Sequence, residues 1–162
     1  MDAHHEDRRN VAGGPLTYSR AQDRRQAMSY GPSITREDAK AVATAALREA
    51  AAHQWTMAVA VVDPHGDLVY FEKMDETPLG STTVCQDKAK SAARFKRPTK
   101  VFQDLLAGGG DGLRVLGITG AVPVEGGLPI LRSGKVVGAV GLSGGTSPQD
   151  GQCAQAGITA LG

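Results

Sequence analysis

The period of the apolar positions changes several times along the chain, and each change marks an element. From Arg36 to about Ala52, the residues Ala39, Val42, Ala43, Ala46 and Ala50 recur at spacings of three and four. This predicts a helix with one narrow apolar face. Thr35 to Asp38 approximates a capping box, with a carboxylate where the exposed amides and the helix dipole favour it. Met57 to Val62 is then an unbroken apolar run rich in valine, Asp63-Pro64-His65-Gly66-Asp67 supplies turn residues, and Leu68 to Met74 returns as a second strand. So short a connection predicts an antiparallel hairpin.

Ser81 is placed to cap a helix running to about Phe95, and Pro98 to Ala107 reads as another, opened by a proline where a missing amide costs little. Gly108, Gly109, Gly110 and Gly112 form a loop. Val115 to Thr119, Ala121 to Val124, Pro129 to Arg132 and Val136 to Ser143 are strand candidates, with turns at Gly126-Gly127 and Ser133-Gly134. Ser147-Pro148-Gln149-Asp150 resembles a second capping box, opening a helix to Ala160 that carries Ala154 and Ile158, with Leu161 just beyond. Mostly antiparallel strands with helices at both ends indicate an α+β sandwich.

Residues 1–33 stand apart, being polar, rich in Arg, Asp, Gly and Pro, and without a sustained apolar period. They read as a tail or as an arm that packs on a neighbouring subunit, and residues 34–162 as the folded domain. Met28 opens the segment MSYGPSIT and is a candidate internal start of translation.

Composition narrows the function. The 162 residues suit one domain, and the apolar share of 41% is enough for a core. Only 4% are aromatic, so the core is built from small side chains, and part of the stability is expected from subunit contacts. Eighteen basic against 17 acidic residues leave no footprint for nucleic acid. Cys85 and Cys153 form no CxxC pair, which argues against a disulfide framework or a structural zinc site and fits a reducing cytoplasm. No apolar run approaches the ~18 residues of a membrane span, and neither Arg pair, Arg8-Arg9 or Arg24-Arg25, precedes an export signal.

Several motifs carry chemistry on paper. Gly141-Leu142-Ser143-Gly144-Gly145 matches the nucleophile elbow of hydrolases, but in that class the histidine follows the serine. Here His4, His5, His53 and His65 all precede Ser143, so a Gly-rich turn before the last helix is the better reading. GGGDG lacks the Lys-Ser/Thr ending of a phosphate-binding loop and reads as a hinge or surface loop. His53 and His65 are isolated, so no metal site is expected.

The stretch GSTTVCQDKAKSAARFKRPT, residues 80–99, is the most informative. On a helix, Val84, Lys88, Ser91 and Phe95 fall on one stripe that carries an ammonium, a hydroxyl and a ring. Two readings stay open: a lysine snorkelling beside Asp87, or a functional group.

The segments VAVVDPHGDLVYFEKMD, PLGS, QDKAKSAARFKRPT, PVEGGLPI and VVGAVGLSGGTSPQD resemble, in order and across residues 34–162, the GlcG/HbpS-like haem-binding or haem-degrading family. The same domain is found at the C-terminal end of PduO-type adenosyltransferase proteins. The resemblance implies a profilin-like α/β/α sandwich around a five-stranded antiparallel sheet, and homo-oligomers. It places Asp87, Lys88, Ser91, Arg97, Thr99, Gly126, Gly127 and Pro129 in recurrent motifs, making them candidates for a ligand cleft. Haem or a related tetrapyrrole is the implied ligand, with Lys88 and Arg97 pairing its propionates and Phe95 supporting the ring. Axial donors are commonly His, Cys, Met or Tyr; the segment offers only Cys85 nearby, with His65 and Met74 on the hairpin and no histidine evident at the cleft.

Two further functions compete. In a cofactor-free enzyme acting on a small carboxylate or carbonyl compound, Arg97 would clamp the carboxylate and a desolvated Lys88 would be the base or Schiff-base nucleophile. In an oligomeric scaffold, the small apolar helices and glycine-rich strand ends would serve assembly.

Overall fold

The computed structural model describes residues 28–162; the greater part of the predicted arm therefore lies outside the described residues. The elements follow in the order α1 (Arg36–Ala52), β1 (Ala58–Val62), β2 (Leu68–Lys73), α2 (Ser81–Phe95), α3 (Thr99–Ala107), a 3-10 helix (Gly110–Gly117), β3 (Gly127–Arg132), β4 (Lys135–Ser143) and α4 (Ser147–Thr159). The strands form one antiparallel sheet in the order β2-β1-β4-β3.

Alternation along β1 assigns the faces, since successive side chains point to opposite sides of a sheet. Val59 and Val61 pack with Val42, Ala43, Ala46 and Ala50 of α1 and with Cys153 and Ala154 of α4. Ala58, Ala60 and Val62 pack on the other face with Cys85, Ala89, Ala92 and Ala93 of α2. The small-residue stripe read from the sequence is thus the sheet-facing side of α1. On the α2 face the approach is closer still, because a Cβ at Gly141 of β4 would stand 2.0 Å from the Cys85 carbonyl oxygen. Only glycine there lets the helix lie so near the strand.

Thr35 caps α1 as expected, its hydroxyl accepting from the Asp38 amide at 3.1 Å. The turn of the hairpin is held by Asp63 Oδ1, which accepts from the amides of His65 at 2.8 Å and Asp67 at 3.0 Å. Before α1, the chain runs beside the start of β4: the Val136 amide donates to Ser29 O at 2.9 Å, and the Gly31 amide to Val136 O at 2.9 Å.

Four expectations are corrected. The sheet has four strands, not five. Val115 to Thr119 is not a strand, because Val115 belongs to the 3-10 helix, which starts inside the Gly-rich segment and rests on α3. A Cβ at Gly112 would lie 1.8 Å from Leu105 O, so this glycine is a packing position as well as a loop residue. Ala121 to Val124 is not a strand either: its Val122 amide is taken by the Ser91 hydroxyl, its Ala121 amide closes a turn onto Ile118 O, and Pro123 has none to give. Last, Ser81 is the first residue of α2 and makes no cap, and α4 is capped by Thr146, not Ser147. The Thr146 amide donates to Gln149 Oε1 at 2.8 Å.

The free edge of β3 is short of open donors at its start. Leu142 N donates to Gly126 O, and hydrogen-bonded pairs alternate along an antiparallel ladder. The amides of residues 127 and 129 therefore point away from β4. The Gly127 amide is taken by Thr99 Oγ1 at 3.0 Å, and Pro129 has none to offer.

Candidate functional site

The lysine on the α2 stripe is inside the molecule. Lys88 is 1% exposed, because α2 lies flat on β4 and its midpoint falls where β4 ends and α4 begins. Its ammonium donates to Asp150 Oδ2 at 2.6 Å and to the Leu142 carbonyl oxygen at 3.1 Å. Asp150 sits in the first turn of α4, with its other oxygen accepting the Gly145 amide at 3.0 Å. Burial pushes the Asp150 carboxyl above its ordinary range, while the Lys88 ammonium and the Gly145 and Gly144 amides pull it down. Gly126, at φ +122, leaves the ammonium its room, since a Cβ there would come within 3.0 Å of Nζ. The reading of a lysine snorkelling beside Asp87 is therefore overturned: Asp87 is exposed, and the partner is Asp150.

Ser91 and Thr99, both fully buried, serve the connection into β3. Ser91 Oγ accepts the Val122 amide at 3.1 Å, Gln103 Oε1 accepts the Glu125 amide at 2.8 Å, and Thr99 Oγ1 accepts the Gly127 amide. Three side chains from α2 and α3 thereby hold the backbone that leads into β3. At Gly127 a Cβ would lie 2.4 Å from Lys88 O and 2.7 Å from Thr99 Cγ2, so this interior cluster is filled by its own atoms.

Phe95 and Arg97 stand at its rim. Phe95 meets Phe102 edge to face with centroids 5.2 Å apart, the Arg97 guanidinium carbon lies 5.7 Å from the Phe102 centroid, and Arg97 Nε donates to Phe95 O at 3.1 Å. Arg97 itself is exposed. The sequence candidates thus divide into a closed interior set (Lys88, Ser91, Thr99, Gly126, Gly127) and an open rim of one cation and one half-buried ring (Arg97, Phe95). Sequence reading missed Asp150, Gln103 and Phe102. A lysine on a sheet-facing stripe was itself a signal, since it demands an acid from elsewhere in the chain.

The remaining motifs find plain roles. Ser143 ends β4 and is buried, and Gly144 follows at φ +150, where a Cβ would lie 2.2 Å from Thr56 O. Of the two described histidines, His53 bonds Glu49 and Gln152 at 3.1 Å each, and His65 lies on the hairpin turn. Cys85 and Cys153 are buried, each thiol pushed up to about 12 by burial, so neither is poised as a thiolate donor. Among the described residues, no group of three or more His, Cys, Asp or Glu is placed to hold a metal ion, and no helix is long and apolar enough to cross a membrane.

Comparison with known proteins agrees with this architecture. Protein GlcG of Escherichia coli strain K12 is 32% identical over 112 residues, which are 68% of this chain and 81% of that protein. HbpS of Streptomyces reticuli, in a double-mutant form, superimposes with a TM-score of 0.75 at 28% identity, covering 83% of this chain and 91% of that one. A PduOC:heme complex does so with a TM-score of 0.71 at 29% identity, covering 79% of this chain and 94% of that one. The model of the haem degrading protein HbpS-like family matches residues 34–159. With that match over most of its length, the chain belongs to the HbpS-like family.

Proposed function

We propose that this protein binds a small ligand, and that the ligand is haem or a related tetrapyrrole held on the rim formed by Phe95 and Arg97, with Phe102 buried behind them. The observation that carries the reading is the likeness, in both sequence and fold, to a relative solved as a haem complex. The fit of a macrocycle differs between the two parts of the candidate site. The interior around Lys88 and Gly127 does not fit one, because its atoms are already in contact and its ammonium is bonded to Asp150. The rim fits better: the half-buried Phe95 ring, backed by the buried Phe102, offers stacking surface, and the exposed Arg97 offers a carboxylate partner for a propionate. The interior residues Lys88, Ser91, Thr99, Gly126 and Gly127 then act by positioning that rim. An axial donor has to come from outside it, and His53 and His65 are the exposed imidazoles among the described residues.

Assembly into a homo-oligomer in the cytoplasm belongs to the same reading. Leu105, Leu113 and Leu116 of α3 and the 3-10 helix are 48%, 54% and 69% exposed, surface that a second subunit would cover. The enzyme reading draws no support from Lys88, whose nitrogen is bonded and out of reach of solvent.

Titration of the purified chain with hemin is the test. A saturable Soret change, weakened in Phe95→Ala and Arg97→Ala, is the expected result. Absence of a saturable change in the wild type rejects the reading.

A further inference from the structure

A second gathering of polar groups lies where the C-terminal end of α2 meets the β1–β2 turn and the segment before α1. Tyr30, Gly31, Pro64, His65 and Arg94 line a cavity of about 270 Å³ there. Arg94 is oriented within it, because its Nε donates to the His65 carbonyl oxygen at 2.9 Å. A guanidinium carries five N–H donors in one plane, so fixing Nε leaves the outer nitrogens as a fork. Gly66 permits the arrangement: its φ is +93, and a Cβ would stand 2.9 Å from Lys90 Cγ and 3.1 Å from Arg94 Nε. Lys96 ends the helix in the left-handed conformation at φ 52, with Nζ 4.4 Å from the Tyr30 ring centroid. One guanidinium, one imidazole and a phenol therefore line one small cavity, with Lys96 over the Tyr30 ring and Lys90 beside Gly66.

Two ordinary duties for these cations are already met by other groups. Cations at a helix C-terminus usually complement its free carbonyls. Here the Ala92 and Ala93 carbonyls receive the Arg97 and Lys96 amides, each at 3.3 Å, and the Tyr30 hydroxyl donates to Ala93 O at 3.3 Å and to Arg94 O at 3.0 Å. Nor do acids hold them. Among the described residues, ion pairs join Arg36 to Glu37, His53 to Glu49, Lys88 to Asp150, Lys100 to Asp104, Arg114 to Asp111 and Arg132 to Asp38, leaving out Lys90, Arg94 and Lys96. Asp63, in the same turn, has Oδ1 engaged by backbone amides.

We propose that this cavity is a binding site for a compact oxyanion, a phosphate group or a carboxylate, received by the Arg94 fork with Tyr30 and His65 at its sides. The site is separate from the Phe95–Arg97 rim and does not depend on haem binding. A planar fork suits either oxyanion, and a cavity of this size admits a small metabolite bearing one.

The test is titration of the full chain with inorganic phosphate and, separately, with succinate, followed by amide NMR in a buffer free of other oxyanions. Saturable shifts confined to Tyr30, Gly31, His65, Gly66 and the end of α2 are expected with at least one of the two, and which one responds identifies the chemistry. Arg94→Ala should weaken binding by at least about tenfold. Arg94→Lys, which keeps the charge and loses the fork, should weaken it as well, and serves if the alanine variant fails to fold. Arg114→Ala, on an exposed residue elsewhere, should bind as the wild type does. No saturable shift with either anion up to on the order of 10 mM, unchanged binding in a folded Arg94 variant, or shifts spread evenly over surface lysines would each overturn the proposal.

Discussion

Lys88 and Asp150, 62 positions apart in sequence, meet at 2.6 Å beneath the surface and tie α2 to the start of α4 across the end of β4. Removing one member strands the other as a buried charge, at a cost of about 3–5 kcal/mol. Lys88→Met and Asp150→Leu are each expected to lose stability on that scale in denaturant unfolding. The double variant should recover much of the loss, since a well-packed apolar pair can replace a buried ion pair. Single variants within about 0.5 kcal/mol of wild type would contradict the assignment.

The glycines make a second comparison. Gly127→Ala would drive a Cβ to 2.4 Å from Lys88 O, against backbone that cannot swing aside, so a loss of about 1–3 kcal/mol or more is expected. Gly117→Ala meets nothing within 4 Å. It should be neutral, or stabilising by up to about 1 kcal/mol through the unfolded chain. Paired thermal melts would decide between these outcomes.

Thr99→Val keeps the shape and removes the acceptor of the Gly127 amide. The orphaned donor should cost about 1–3 kcal/mol. Hydrogen exchange at Gly127 should quicken more than at Ala60 in the sheet centre, and equal changes at both would point to a general loosening instead.

Both cysteine thiols are raised by burial from 9.0 to about 12. A group whose folded value is raised contributes stability that is fully present below its unfolded value and lost as pH rises through the folded one. The protein should therefore weaken progressively from about pH 9 through pH 12, and Cys85→Ala with Cys153→Ala should flatten that decline. At pH 8 neither thiol should react with a disulfide reagent until denaturant is added; rapid labelling of the folded chain would refute the burial.

The elements legible in the sequence are those with a period of their own. The alanine stripe of α1 and the valine run of β1 followed from side-chain spacing alone, and the extent of α2 from the serine at its start and the proline beyond its end. What failed was set by distant partners. Ala121 to Val124 has a strand's composition, yet its neighbourhood is supplied by Ser91, Gln103 and Thr99, whose hydroxyls and amide no local pattern announces. The same holds for the site. Lys88 stood out by its place on an apolar stripe, whereas Asp150 in a first helical turn looked like an ordinary dipole partner. Phe95 and Arg97 shared a motif with Lys88, but Phe95 is the last residue of α2 and half-buried, and Arg97 lies past its end and is exposed.

The donor-poor start of β3 also bears on how copies of this protein can meet. A strand arriving from another molecule would find Gly127's amide already taken and a proline next in line, with no ladder to extend. Strand addition is hindered at that end of β3 by the missing donors. Subunits that do associate at that end must recognise one another through side-chain shape, which makes such contacts selective where bare backbone would accept any extended peptide.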